Sequence, residues 1–218
     1  MYQKTINTAV LLLLLLVGGN SQAAIPNPQL ADTASAVKFE NSMRMLWEEH
    51  VSWTRAYLIS AFNNLDDKAV VLQRLLRNQS DIGDSVKPYY GTDAGNQLTS
   101  LLTTHINIAG NLITAMSAND TANANVAMVA WQSNANDIAV FLNKANPSNW
   151  ALADLQAMMT AHLNATTTEV KAEFAKDWIG SVNAYDTIET QILMMADTLS
   201  QGIIKQFPDR FTTKIVCE

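Results

Sequence analysis

SAVKFENSMRMLWEEHVSWTRAYLISAFNNL, residues 35–65, sets Phe39, Met43, Leu46, His50, Trp53, Tyr57 and Ala61 at steps of three and four. That spacing is the buried stripe of one amphipathic helix, and it predicts a long first helix with a histidine in the middle of its apolar face. The rest of the chain repeats the period. Asn64, Asp66 and Asp67 offer caps for a shorter second helix through Val70, Val71, Leu72, Leu75 and Leu76, ending near Asn78, with Pro88 and Gly91 punctuating a loop. Thr92 or Asp93 starts a third helix carrying Leu98, Leu101, Leu102, His105, Ile108, Leu112 and Ile113 to about Ser117. Asn119 and Asp120 start a fourth, which Asn146 and Pro147 stop, because a residue before proline is pushed out of the helical region.

A fifth helix spans residues 149–176, with its weak point at the β-branched run Thr166, Thr167 and Thr168, and a sixth spans 178–206 and is closed by Pro208. Only the tail from Phe211 to Val216 hints at strand alternation. Four long helices of similar length with short connections predict an all-α fold, an antiparallel four-helix bundle with an additional short helix or helices, over residues 35–208. LLTTHIN at 101–107 matches MMTAHLN at 158–164 nearly position for position, a repeat that implies two related hairpins.

The ends of the chain read differently. Lys4, an apolar run with six consecutive leucines and a small-residue zone through Ser21, Ala23 and Ala24 predict a secretory signal peptide over residues 1–24 and a periplasmic or secreted location. Residues 25–34, with Pro26 and Pro28, read as an extended leader, and 209–218 as a C-terminal tail. The apolar run falls short of the ~20 residues a membrane span needs. Without Lys4 the formal charge of −6 becomes −7, a sign that repels phosphate backbones and argues against nucleic-acid partners. Cys217 is the only cysteine, so no intramolecular disulfide can form.

His50, His105 and His162 are all the histidines of the chain, each near the midpoint of a different helix and on its apolar stripe. Antiparallel helices of equal length bring their midpoints to one level, so three imidazoles are expected to converge. Glu169 lies two turns after His162, and the sixth helix carries Asp186, Glu189, Leu193 and Asp197 along one face. Buried carboxylates need partners. The expected centre is therefore a divalent transition metal (zinc, iron, manganese or copper) held by His50, His105 and His162 with Glu169, Asp186 or Glu189 completing the shell. Met158, Met159, Met194 and Met195 are candidate soft ligands that fit core packing better. The competing expectation is a structural or interaction bundle whose polar layer binds no metal, its acids paired with Lys171, Lys176, Arg44 or Arg55. A third is a carrier of a small apolar ligand lined by Trp47, Trp53, Tyr57, Trp131 and Phe141.

Glu-x-x-His, Cys-x-x-Cys-His, glycine-rich phosphate loops and nucleophile elbows are absent, which removes the ferritin-like di-iron, covalent haem, kinase and common hydrolase readings. Whether the chain is an enzyme, and which protein it meets, the motifs leave open. LWEEHVSWTR (46–55), LLRNQSDIG (75–83) and MMADTLSQGIIKQFP (194–208) resemble a small uncharacterised bacterial helical family, found in spore-forming bacteria and sometimes labelled acetylglutamate kinase. The resemblance implies the helical fold. It transfers no activity, because this chain lacks the glycine-rich, strand-bearing phosphate site such a kinase requires.

Overall fold

Asn64, Asn119 and Lys176 have positive φ values of 51°, 55° and 59°, and each ends the first helix of a hairpin. All three turns close with the same pair of bonds. Leu65 N–H reaches the Ser60 carbonyl and Asn64 N–H that of Ala61; Asp120 and Asn119 do likewise to Ala115 and Met116, Asp177 and Lys176 to Ala172 and Glu173. This is the Schellman arrangement that satisfies the last carbonyls of a helix. The described residues therefore form three like hairpins.

The computed structural model describes residues 33–212, arranged as α1 (Ala34–Phe62), α2 (Lys68–Tyr90), α3 (Thr92–Ser117), α4 (Thr121–Ala145), α5 (Leu152–Ala175) and α6 (Trp178–Gln206), then one 3₁₀ turn (Pro208–Arg210). There is no strand among the described residues. The predicted signal peptide, almost all of the extended leader, Cys217 and most of the C-terminal tail lie outside them. No described helix is long and apolar enough to cross a membrane.

Each helix packs on its chain neighbours and α6 closes on α1, giving a ring in which α1, α3 and α5 also touch one another across the centre. The all-α bundle is as the periodicity predicts, with one difference. The second helix does not stop near Asn78 but runs 23 residues to Tyr90, so the bundle has six long helices. Its stripe continues through Ile82 and Val86, and Asn78 and Gln79 occupy buried stripe positions at 0% exposure. Pro88 falls in the last turn, and Gly91, at φ 86°, makes the tight link to α3. The threonine run in α5 leaves the helix unbroken. Thr166 and Thr168 turn their hydroxyls back to the carbonyls of His162 and Asn164, which satisfies them inside the helix.

Residues at equal steps from each histidine are buried in all three hairpins. Met43, Leu98 and Leu155 lie seven before it, Val51, Ile106 and Leu163 one after, and Leu58, Ile113 and Val170 eight after. On the second helices the first hairpin runs one residue short: Asn78, 28 residues after its histidine, corresponds to Asn134 and Gln191, 29 after theirs, followed by Ile82, Ile138 and Met195, then Gly83, Ala139 and Ala196. The repeat seen between two segments thus extends to a third hairpin that the sequence hides. α4 and α5 pack least closely of the adjacent pairs. At the pole away from the hairpin tips, the hydroxyls of Thr33 and Ser35 both donate to the Phe211 carbonyl at 2.6 Å.

Gly83 marks a close approach of α2 and α3. A Cβ there would collide with Thr99 Oγ1 and stand 2.6 Å from the Gly95 carbonyl oxygen. Gly83→Ala is expected to lower stability by about 1–3 kcal/mol despite the better helix propensity of alanine, as overpacking does. A thermal melt of the variant at or above the wild-type midpoint would contradict this packing.

Candidate functional site

His50, His105 and His162 are buried at 3, 3 and 5% exposure on the three central helices, and the structure brings them into one layer. The His162 ring lies 5.8 Å from that of His50 and 6.3 Å from that of His105, centroid to centroid. Each ring is clasped by an amide 29 residues further on: His50 Nδ1 to Gln79 Oε1 at 3.2 Å, His105 Nδ1 to Asn134 Oδ1 at 2.8 Å, and His162 Nδ1 to Gln191 Oε1 at 3.1 Å. No motif points to these amides, but the constant spacing was there to be read.

The amides are themselves fixed. Asn134 Nδ2 donates to the Leu101 carbonyl and Gln191 Nε2 to that of Met158, both at 3.1 Å and both one turn before the histidine. In the first hairpin the task is divided: Asn78 Nδ2 donates to the Leu46 carbonyl, while Gln79 Nε2 donates to the carbonyl of Leu75 and to Asn78 Oδ1. An amide whose nitrogen is committed to a carbonyl must turn its oxygen to the ring, so Nδ1 carries the proton and Nε2 is the acceptor. All the hydrogen bonds these rings make run through Nδ1. Neutral imidazoles of this tautomer have no N–H left to give one another.

Burial keeps them neutral. It drives His105 down to about 3 and His162 to about 4, and His50 well below its ordinary value, with the neighbouring histidines adding to the push on His50 and His105.

The expected carboxylates do not join this layer. Glu169 is buried, but its partner is Arg55, and Glu173 sits beside them at 3.9 Å from the same guanidinium and accepts from Ser181 Oγ. Two buried acids on one arginine push Glu169 up to about 7, desolvation first and Glu173 adding to it against the pull of Arg55. Asp186 is exposed and Glu189 half-buried. The inward face of α6 is Ala184, Ile188, Ile192 and Met195, so the acidic face lies on its flank, and Asp197 pairs outward with Arg44 at 3.3 Å. Met194 is 60% exposed, whereas Met159 and Met195 pack in the core. Among the described residues no three His, Cys, Asp or Glu side chains stand in an arrangement ready to hold a metal ion.

The aromatic residues are likewise spread out. Trp47 and Trp131 pack against His50 and His105, Trp53 lies under Arg74 at 5.1 Å, and Phe141 borders a surface groove with Tyr90. A groove of about 340 Å³ opens along the loose α4–α5 seam, where Gln132 and Gln156 stand at the wall and Met159 and Leu163, the near neighbours of His162, form part of the lining. No known protein family, curated protein or solved structure matches the chain.

Proposed function

We propose that this protein is an exported metal-binding bundle, its centre formed by His50, His105 and His162 around a divalent transition metal. The observation that carries the reading is the threefold clasp. A metal-ligating histidine typically gives its second ring N–H to an oxygen that fixes tautomer and orientation, and here three buried histidines do so in the same way. Three acceptor nitrogens in one layer call for a guest that takes lone pairs. At metal–nitrogen distances of about 2.0–2.1 Å, tetrahedral imidazoles bring ring centroids to about 5–5.5 Å. The His162 ring, at 5.8 and 6.3 Å from its two neighbours, stands wider than this by about 1 Å at most in each pair.

The carboxylates of the expected shell fall away from the proposal, because Glu169 is taken by Arg55 while Asp186 and Glu189 lie on the outer flank of α6. An all-imidazole set suits zinc, copper or iron better than manganese. Three protein ligands leave a position for water, which fits storage, sensing or metal-assisted chemistry alike. The α4–α5 groove, with Met159 and Leu163 in its lining, is the candidate route inward. Export rests on the leader alone.

The second reading, a register-fixing polar layer without metal, is favoured by the wide spacing of the rings and by their existing amide partners. Elemental analysis of the mature protein, purified from its own export compartment, separates the two. Near-stoichiometric metal, absent from a His105→Ala, His162→Ala double variant, is the expected result. No metal in the native protein and no uptake of zinc, iron, manganese or copper would leave the structural bundle.

A further inference from the structure

The threefold frame stays open along the α4–α5 seam, the least closely packed of the adjacent pairs. In the α6–α1 seam Tyr185 and Ser52 bond across the gap at 3.0 Å, with Arg55 over the Tyr185 ring at 5.0 Å, and in the α2–α3 seam Gly83 lets the backbones approach. At the steps of Tyr185, Ser52 and Arg55 the α4–α5 seam has Met128, Asn164 and Thr167. Among the described residues two side-chain hydrogen bonds cross it: Gln156 Nε2 to Asn136 Oδ1 at 2.7 Å, and the Thr167 hydroxyl to the Met128 sulfur at 4.0 Å.

Two grooves lie in line along the opening, one of about 420 Å³ toward the hairpin tips and one of about 340 Å³ beyond it. Their nearest lining residues are one turn apart on each helix, Met128 and Gln132 on α4, Asn164 and Thr167 on α5. The halves differ in chemistry. Toward the tips the walls are apolar, with Leu112, Met116, Met128, Val170 and Phe174, and Lys171 and Asp120 at the edge are of opposite sign. In the other half buried Ala135, Met159 and Leu163 make the floor, and the rim carries amides and no charged side chain. The Gln156–Asn136 bond leaves Gln156 Oε1 and Asn136 Nδ2 open, and the side chains of Gln132 and Asn164 make no hydrogen bond among the described residues. Donors and acceptors without charge match hydroxyl groups, which both give and accept, whereas a charged head group would find no counter-charge there.

We propose that the α4–α5 seam binds a single-chain amphiphile with an uncharged, hydroxyl-bearing head, the head among the amides and the chain running over Met128 toward the tips. The lining from Gln156 to Phe174 spans about 27 Å of helix, room for head and chain end to end. Methionine is a flexible side chain that can make way for the chain at the narrow point. The site stands apart from the metal reading, because none of the three histidines lines it.

Calorimetric titration of the full-length protein with hexyl glucoside, octyl glucoside and octanoate, all below their micelle-forming concentrations, tests it. Saturable binding of octyl glucoside is expected, with hexyl glucoside about tenfold weaker or more, the scale of two methylenes withdrawn from water, and octanoate weaker than octyl glucoside. A Gln132→Ala, Asn164→Ala double variant, which removes two unbonded surface amides, should weaken both glucosides about tenfold and keep their ratio. Ala124→Trp, which fills the tip half, should remove the advantage of the longer chain. Equal affinity of the two glucosides for the wild type, or no binding of either, would overturn the proposal, as would an octyl glucoside affinity unchanged in both variants. Octanoate bound more tightly than octyl glucoside would overturn the neutral head and place an anion beside Lys171.

Discussion

Between pH 7.5 and pH 5 the metal-free protein is expected to lose at least roughly 2 kcal/mol of stability, a substantial part of the 5–15 kcal/mol typical of a domain. The histidine layer drives the loss. His105 and His162 titrate near 3 and 4 in the fold and His50 well below its ordinary value, while the unfolded chain takes up the same protons near 6.5. Folded values below unfolded ones mean stability that is full above pH 6.5 and lost as pH falls through it. At pH 5 the cost is about 2 kcal/mol each for His105 and His162, which stay neutral in the fold while the unfolded chain is protonated, and His50 adds to it in the same direction. Glu169 opposes this. Its folded value near 7 lies above the ordinary 4.5, so its contribution is present at low pH and lost as pH rises through 7, returning about 2 kcal/mol at pH 5. Urea titrations at both pH values read the difference directly. Stability that stays level or rises on acidification would mean that the rings are not held neutral.

Arg55→Met is expected to cost about 3–5 kcal/mol at pH 8, the range for breaking a buried ion pair from one side. Arg55 is the cation facing Glu169 and Glu173, donates to Ser181 Oγ at 3.0 Å, and stacks over the Tyr185 ring at 5.0 Å. Methionine fills part of the volume but leaves two carboxylates, at 2 and 3% side-chain exposure, without a counter-charge. The penalty should shrink toward pH 5.5, where a proton on Glu169 replaces the lost cation. Adding Glu169→Gln to Arg55→Met should recover much of the loss at pH 8 for the same reason. A single variant that unfolds at the wild-type urea midpoint at both pH values would show that the arginine holds nothing there.

The helices and the histidines were legible because each histidine sits on an apolar stripe whose period is unambiguous. The length of α2 was not. Asn78 and Gln79 look like the polar end of a helix, and only the clasp on His50 explains polar side chains at stripe positions. The acids of α6 were misplaced for a related reason. Asp186, Glu189 and Asp197 share a face, but Ala184, Ile188 and Ile192 decide which face turns inward. Glu169 was read correctly as buried, and its partner Arg55, on a helix far away in sequence, was one of the pairings left open. The α1–α2 hairpin hides its kinship because Trp47 and Arg55 replace the small or aliphatic residues found at those steps in its sisters. What the hairpins share is the constant step from histidine to amide and the left-handed turn between them.

The bond from Thr33 and Ser35 to the Phe211 carbonyl places the two ends of the helical ring side by side. Every histidine–amide clasp lies within one hairpin, and the Gly91 turn lies between two. Chain order is therefore separable from architecture: a short bridge from residue 212 to residue 33, with new ends opened at Gly91, would write the hairpins in the order second, third, first and keep each seam and each clasp. A circular permutant of residues 33–212 would differ from the helical ring described here in connectivity alone. Residues 33 and 212 share one pole, and the hairpin tips face the opposite way.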